Sequence, residues 1–358
     1  MAGRGVDQLR HARPLGRNTG WRLVARIASV AFFVLVISVV TTWASLALWY
    51  RLPMPEWARN LAAGLFVLLG LATIIASFGR ARVPTTLAFA AAIVAVLIWW
   101  STIRPVGQAD WAPDVARQVT GVRTGDMLTL TNVRDFAWHS DDDFSERWTT
   151  RSYDLAKLKR LDLFMSYWAG PEMAHVIMSF GFEGGDQLAW SIEVRRRKGG
   201  EFSPLADLFK SNPLVIIAAD ERDVVGVRSN IRGEDVQLFR LRAPPDATLS
   251  LLLEYVADAN ALATTPQFYN SLTTNCTTTV VKMMRAIGGK VPFDWRLIVN
   301  GYLPDYAYGR GALDTRLPLP ELKALAHIDK RAREAGLSSD FSRLIRVSVP
   351  SPREQQTP

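Results

Sequence analysis

The chain is poor in the residues and motifs that build several common kinds of site. Its 358 residues include one cysteine and four histidines, which excludes an internal disulfide framework and any metal site made of cysteines alone. It contains no glycine-rich phosphate loop, no G-x-S-x-G turn and no H-E-x-x-H pair. The familiar nucleotide, serine-hydrolase and zinc-protease motifs are therefore absent. We expect no cofactor and no bound metal.

Acidic residues are scarce in the N-terminal third of the chain. Residues 1–104 contain eleven arginines and only two acids, so this region carries +9, whereas the rest of the chain carries a net −1. The overall charge of +8 thus comes from one region. A basic nucleic-acid-binding domain is disfavoured, and we expect no nucleic acid as a partner.

Three stretches, 27–50, 60–79 and 83–103, contain no charged residue at all. They are 24, 20 and 21 residues long, and a bilayer crossing takes roughly 20 apolar residues. A cleaved signal peptide is the alternative for the first stretch, but its apolar part is usually about 7–15 residues long. The arginines before the first stretch place the N-terminus in the cytoplasm. The sequence predicts a three-helix transmembrane anchor in a bacterial inner membrane, with the C-terminal part in the periplasm.

The remaining chain predicts a mixed α+β domain. We place a basic cytoplasmic segment at 1–26, the three membrane helices at 27–104, a linker at 105–129, the domain at 130–345 and a disordered tail at 346–358. Hydrophobic periodicity and turn residues then assign the elements of the domain. Strands are predicted at 127–133, 175–182, 187–194, 214–219, 224–228 and 235–240, and helices at 153–168, 248–262 and 276–287.

The single cysteine is the first candidate for chemistry. Cys276 follows a polar stretch and begins a predicted helix. There the helix dipole and unpaired backbone N–H groups lower the pKa of a thiol and can hold an oxyanion. The alternative is a small cysteine packed in the core. The polar setting, and the retention of a thiol on the oxidising side of the membrane, favour a nucleophile.

A thiol nucleophile needs a base, which is usually histidine. The domain contains His139, His175 and His327. His175 begins an otherwise apolar strand, where the alternative is a core histidine held by backbone groups. The base must be one of these three, and the predicted hairpin around 175–194 favours His175.

The hairpin register brings a carboxylate to His175. Its two strands are separated by four residues, 183–186, that include two glycines, a strong turn signal. If the turn centres on Gly184, position 175 lies opposite Glu193. A shift of one residue would bring an aliphatic side chain there instead. A glutamate at 193 would orient the imidazole, which completes a candidate catalytic set of Cys276, His175 and Glu193.

The order of these residues, histidine before cysteine, fits a circularly permuted papain-like fold. Several motifs occur together: Arg134-Asp135-Phe136, Tyr153-Asp154-Leu155, the strand 174–182, Ser191 to Arg195, Ala219 to Val224, Tyr269-Asn270 and Asn275 to Thr278. With these motifs the chain resembles, over about 130–340, the periplasmic domain family named after the bacterial lipoprotein N-acyltransferase B. It is similar, more remotely, to permuted papain-like acyltransferases of the lecithin retinol acyltransferase type.

The resemblance implies an acyl-transfer site. Cys276 matches the family's nucleophile and His175 its base, and a thioester would pass its acyl group to an amine or to water. Asn275, Tyr269 and Asn270 are candidates for the oxyanion hole or for substrate contacts. Phospholipid or lipoprotein is then the expected acyl substrate. An envelope cysteine peptidase or amidase, and a non-catalytic envelope protein with a packed Cys276, remain as alternatives.

Three charged motifs have more ordinary explanations. The basic run 195–198 could contact anionic headgroups, but a solvated hairpin end is favoured. The segment 139–143 contains a histidine and three aspartates without a recognisable ligand pattern, and it is predicted to be a polar loop. The segment 220–223 is predicted to form ion pairs or to cap a turn.

Overall fold

The computed structural model describes residues 17–352, and the chain divides into two compact units, Met1–Ile103 and Arg104–Pro358. Most of the predicted cytoplasmic segment (its residues 1–16) and the end of the predicted tail (353–358) lie outside the described residues. Each unit is described by itself below.

The first unit consists of three helices, α1 (Arg17–Arg51), α2 (Glu56–Ala76) and α3 (Arg82–Thr102). All three are long and apolar enough to cross a membrane. Gly70 of α2 is buried against α1, and a Cβ at this position would lie 2.2 Å from Oγ1 of Thr41. Glycine therefore permits the close approach of two helices that small residues give within membranes. The predicted fold class, a three-helix membrane segment followed by a mixed domain, is confirmed.

The second unit contains ten strands and eight helices within its described residues. The strands are β1 (Thr120–Thr124), β2 (Met127–Arg134), β3 (Ala137–Trp138), β4 (Phe144–Ser145), β5 (Trp148–Asp154), β6 (Leu158–Tyr167), β7 (Ala174–Phe182), β8 (Gln187–Val194), β9 (Leu214–Ala219) and β10 (Asp235–Arg240). The helices are α4 (Pro204–Asp207), α5 (Glu221–Val224), α6 (Pro245–Thr264), α7 (Cys276–Ala286), α8 (Leu303–Gly309), α9 (Leu319–Ala326), α10 (Asp329–Ala335) and α11 (Phe341–Leu344).

One twisted sheet forms the centre of this unit. Its strand order is β1-β2-β9-β8-β7-β6-β10, with β5 also paired to β2. Neighbouring strands among β6, β7, β8 and β9 run antiparallel to one another. The pairing between β2 and β9 is parallel. Helices α6 and α7 cover one face with Leu252, Tyr255 and Met283. On the other face, Ala332 of α10 and Phe341 of α11 pack on the sheet. Because both faces are covered, the central strands carry buried apolar residues on both faces.

This two-sided burial makes one sequence prediction wrong. Residues 153–168 were predicted to form a helix, but most of them form the strand β6, after a short 3₁₀ turn at Leu155–Lys157. Leu163 faces the cluster under α6 and Phe164 faces the opposite cluster. A strand with apolar residues on both faces has no clean alternation, so its leucines also matched a helical spacing.

Two further boundaries differ from the predictions. Residues 224–228 were predicted to be a strand, but the chain there leaves α5 and enters a π-helical turn, Val227–Ile231. The predicted linker 105–129 contains β1 and the start of β2. Val119 and Leu128 in it are fully buried. Gly125, within the predicted linker, forms the tight turn between β1 and β2 with a φ of 60°.

Buried ion pairs account for two of the family motifs. Arg134 donates to Asp223 at 2.9 Å, and Trp138 Nε1 donates to the same carboxylate at 2.8 Å. Asp135 accepts from Arg222 at 2.7 Å. The segment 220–223 thus forms ion pairs, as predicted, and Asp220 also caps the short α5. Because each buried charge has a hydrogen-bonded partner, these residues act in holding the layers of the fold together.

The other two charged motifs, 195–198 and 139–143, also form contacts within the protein. Arg195 stacks on Trp111 with 4.8 Å to the ring centroid, and Arg196 pairs with Asp114 at 2.6 Å. Half of the basic run is therefore engaged by the protein's own residues. In the segment 139–143, Ser140 Oγ accepts from the backbone of Asp143 at 3.0 Å, as a polar loop would.

Candidate active site

The thiol lies at the first residue of α7. The residue before it, Asn275, is the N-cap: its side-chain oxygen accepts from the N–H groups of Thr277 and Thr278 at 2.9 Å each. Thr278 Oγ1 in turn accepts from the Asn275 N–H at 2.8 Å, which completes a capping box. This local pattern fixes where the helix starts and therefore places Cys276 at its positive end.

The candidate base, His175, lies at a fork between two strands. Strands β7 and β8 pair from Gly181 with Gln187 to Ile177 with Ser191, in the register that a turn centred on Gly184 predicted. Beyond Ile177, β7 continues along β6 while β8 continues along β9. His175 lies past the last pair, and the N-terminus of α7 reaches this fork. Both the His175 side chain and the backbone of the following residue, Val176, interact with the Cys276 thiol and lower its pKa.

A serine and an arginine complete the environment of the imidazole. Nε2 of His175 lies 2.7 Å from Ser191 Oγ and 3.2 Å from Glu193 Oε1. Ser191 donates to Glu193 at 2.6 Å, and Arg228 donates to the same carboxylate oxygen at 2.9 Å. Because the serine hydroxyl gives its proton to Glu193, it accepts from Nε2–H. The other ring nitrogen, Nδ1, is then the one left to interact with Cys276.

These contacts oppose the effect of burial on each group. Burial alone would lower the pKa of His175, but the charge of Glu193 and the hydrogen bond to Cys276 raise it to about 9. Burial would raise the pKa of the Cys276 thiol, but the hydrogen bond and charge of His175 lower it. Burial would likewise raise the pKa of Glu193, which His175 and Arg228 hold well below its usual range. The interaction between His175 and Cys276 therefore favours the thiolate–imidazolium form over the neutral pair.

Asn300 ties the histidine strand to the cysteine helix. Its side chain forms two hydrogen bonds with the backbone of Ala174, accepting from N–H at 3.0 Å and donating to C=O at 2.7 Å. The same amide nitrogen donates to Thr277 Oγ1 at 2.8 Å and lies 3.9 Å from Cys276 Sγ. Because Ala174 precedes His175 and Thr277 follows Cys276, Asn300 holds the segments that carry His175 and Cys276 together.

The predicted oxyanion residues fall into two groups. The side chains of Asn275 and Asn270 are committed to the loop: Asn275 also donates to Ser271 O at 2.8 Å, and Asn270 accepts from Leu272 N and Thr273 N at 3.0 Å each. Their oxyanion or substrate roles stay predictions, and in the structure both side chains hold the loop that precedes Cys276.

Tyr269 and the backbone of Cys276 lie closer to the chemistry. Tyr269 is buried in the same cluster as Cys276. Burial, followed by the charges of Cys276 and Glu193, raises the pKa of its phenol, which stays a proton donor. Within residues 17–352, the Cys276 N–H has no hydrogen-bond partner, in keeping with its place as the first amide of α7. These two groups are the available donors for an oxyanion.

Three residues of the site were missed from the sequence. Ser191 lies two positions before Glu193 and on the same side of β8, so strand alternation could have found it. Arg228 and Asn300 come from a turn and a loop that no hydrophobic pattern connects to the hairpin. The structure thus brings Cys276, His175 and Glu193 together and adds partners from distant parts of the chain.

A second histidine cluster lies elsewhere on the surface of this unit. His327 Nδ1 is 2.6 Å from Asp235 Oδ1, and the ligand atoms of Asp235, His327 and Asp329 all lie within 4.8 Å of one another. The side chains of His327 and Asp235 are 44% and 45% exposed. These residues could ligate a cation, but their solvent exposure is equally typical of a surface ion pair.

Comparison with known families adds to this geometry. Residues 144–301 match the family model described as the Lnb N-terminal periplasmic domain. This segment matches the Lnb N-terminal domain family. The resemblance predicted from the sequence is thereby confirmed over a range that contains His175, Glu193, Cys276 and Asn300. No curated protein and no solved structure matches the chain. The Lnb-type domain and the three apolar helices together fit a membrane-anchored protein with a periplasmic domain.

Proposed function

We propose that the protein is a thiol acyltransferase of the bacterial envelope that acts through a thioester on Cys276. The observation that carries the proposal is the contact of a helix-terminal thiol with an imidazole that is itself held by Ser191, Glu193 and Arg228. A cysteine that only fills space in a core needs neither a base nor a lowered pKa.

The first half of the proposed reaction forms the thioester. The Cys276 thiolate attacks the carbonyl carbon of an acyl ester, and a C–S bond forms. The negative charge on the carbonyl oxygen is stabilised by the Cys276 N–H and by the Tyr269 hydroxyl. When the C–O bond breaks, the leaving alcohol takes its proton from the His175 imidazolium, which Glu193 has kept charged.

The second half releases the acyl group. An amine or a water molecule attacks the thioester carbonyl and gives a proton to the now neutral His175. The C–S bond breaks, and the thiolate and the imidazolium are restored. The same residues thus serve an acyltransferase and a thiol hydrolase, and the acceptor decides between the two outcomes.

The location of the domain supports a lipid acyl donor. We propose that the three helices lie in the inner membrane with the N-terminus in the cytoplasm, since six arginines and one acid precede the charge-free stretch that begins at residue 27. The domain then lies in the periplasm, tethered to phospholipid. To test this, a cysteine placed at exposed Val122 in a Cys276→Ser chain should react with a membrane-impermeant maleimide in spheroplasts. Labelling only after lysis would contradict this orientation.

The test of the chemistry is to trap the intermediate. Full-length protein in phospholipid nanodiscs is incubated with an activated fatty-acyl ester or with phospholipid alone, and its intact mass is measured. We expect an acyl adduct that neutral hydroxylamine removes, and that is absent from Cys276→Ser, because hydroxylamine cleaves thioesters faster than oxygen esters. As the only cysteine is replaced, the comparison involves no other thiol.

Two results would contradict the proposal. When an activated ester of an envelope peptide is offered in the same way, a hydroxylamine-sensitive peptidyl adduct, with no acyl adduct from lipid, would point to the peptidase or amidase alternative. No adduct at all, together with iodoacetamide reactivity no greater than that of the denatured chain, would leave Cys276 as a packed residue of a non-catalytic protein.

A further inference from the structure

The second unit exposes several large apolar side chains on segments that are close in the chain to residues of the candidate site. Thirteen large apolar side chains among its described residues are 38% exposed or more, and eight of them lie in four short segments, 168–173, 202–205, 272 and 293–298. Soluble domains rarely expose large contiguous apolar patches, and such patches mark interaction surfaces. We name these four segments the apolar rim.

Contacts within the rim show that its segments are neighbours. Trp168 and Phe202 form an edge-to-face pair with ring centroids 6.0 Å apart. Ser271 Oγ donates to Pro204 O at 2.8 Å, which places Leu272 beside the segment 202–205. Leu272, Phe293 and Ile298 line one cavity beside α7. The rim is thus continuous from the β6–β7 loop to the segment that follows α7.

Three residues of the apolar rim precede residues of the candidate active site by two to four positions in the chain. Met173 lies two residues before His175, Leu272 four residues before Cys276, and Ile298 two residues before Asn300. Each of these loops therefore combines a residue of the candidate site with an exposed apolar residue a few positions away.

We propose that the apolar rim inserts into the interfacial region of the bilayer, so that the Cys276 site opens at the lipid surface. Tryptophan and phenylalanine with large aliphatic residues are the side chains that favour the boundary of headgroups and acyl chains. The membrane helices also tether this unit to the bilayer, because the last membrane-length helix ends at Thr102 and this unit begins at Arg104. This tether raises the effective concentration of lipid at the apolar rim.

The charge of the rim agrees with an apolar rather than an electrostatic attachment. Asp294 and Arg296 neutralise each other through a 2.7 Å ion pair, and Glu172 is the only other charged residue in the four segments. Insertion therefore needs no anionic lipid and should persist at high salt. It also does not depend on thiol chemistry, so it can be tested in a chain without Cys276.

The single cysteine makes a direct test practical. In a full-length Cys276→Ser chain, a cysteine is introduced by Leu272→Cys or Phe293→Cys, and as controls by Val122→Cys or Val347→Cys, which are exposed apolar positions outside the rim. Each is labelled with an environment-sensitive fluorophore. The protein is then reconstituted into phosphatidylcholine liposomes whose acyl chains are brominated, so that lipid contact quenches the fluorophore.

We expect a blue shift and a several-fold greater quenching at 272 and 293 than at 122 and 347, with no loss in high salt. Equal quenching at rim and control positions would overturn the proposal, because it would indicate adsorption without a preferred face. A blue shift at the rim without quenching would also overturn it, since the rim would then be covered by protein, such as a second copy of this chain. A failure here leaves the thioester test unaffected.

Discussion

Two histidines of the second unit are paired with carboxylates, and the two pairs differ in their surroundings. His327 and Asp235 are 2.6 Å apart, and nearly half of each side chain is exposed. His175 and Glu193 are 3.2 Å apart, with 15% and 20% of their side chains exposed, and a serine, an arginine and a thiol complete the group. The shorter pair is thus the more exposed one.

The comparison shows that distance to a carboxylate is a poor guide to function. An exposed pair is screened by water and contributes about 0–1 kcal/mol. The same pair, when buried, changes which protonation state is populated, because the charges interact across a less polar medium. Only the buried pair lies beside a group that can exchange a proton with the imidazole, because the Cys276 thiol begins a helix next to it. The predictions below use the His327 cluster as the internal control.

The largest effect is expected from replacing the base. In His175→Gln the thiol loses its hydrogen-bond partner and the neighbouring positive charge, while burial still raises its pKa. General acid–base catalysis contributes about 10²–10⁴-fold, and we expect a loss in that range in the rate of thioester formation by stopped-flow or quenched mass measurements. His327→Gln should retain the wild-type rate. An equal loss in both variants would mean that the two pairs do not differ in the way we infer.

An intermediate effect is expected from Glu193→Gln, and it depends on pH. The pKa of His175 is raised to about 9, so the imidazolium that protonates the leaving group persists below that pH and is lost above it. Removing the carboxylate charge lowers this pKa by about one to three pH units. The alkaline decline of the acyl-transfer rate should therefore move to lower pH, with about a tenfold loss at pH 8.

The matched control for this variant is Asp235→Asn, which removes the carboxylate of the exposed pair. Its pH–rate profile, measured over pH 5–10, should coincide with that of the wild type. If Glu193→Gln leaves the alkaline limb in place, Glu193 is a structural residue and the role inferred for it is wrong.

The smallest effect is expected from Asn300→Ala. The Ala174 backbone and Thr277 lose hydrogen bonds, which should lower the free energy of unfolding by about 1–3 kcal/mol. The iodoacetamide rate at neutral pH should also fall several-fold, because the thiol and the imidazole are no longer held at a set distance. Asn230→Ala removes a similar bond, to Ala332 O at 2.8 Å.

Asn230→Ala should lower the stability without lowering the alkylation rate. Chemical denaturation and alkylation kinetics on the same samples separate the two quantities. A parallel loss of reactivity in both asparagine variants would show that Asn300 acts only through stability.

Short sequence patterns predicted the structure correctly where the interactions that form it join residues close together in the chain. The hairpin register follows from a four-residue turn with two glycines, and the start of α7 follows from Asn275 and Thr278, which cap it. Both signals involve residues within a few positions of each other. Hydrophobic periodicity failed at β6, because burial on both faces of a central strand removes the alternation that identifies a strand. The same burial made the segment after α5 seem strand-like.

The sequence established the parts of the protein that depend on composition and short-range order. Three charge-free stretches specify membrane-length helices, since about 20 apolar residues match the bilayer, and the position of Cys276 at a helix start follows from its neighbours. The tertiary structure alone decided which side chains surround the thiol. Arg228 and Asn300 reach the site only because the β7–β8 fork, the turn after α5 and the loop after α7 converge there. No periodic pattern records such a convergence, because the packing of both faces of the sheet determines it.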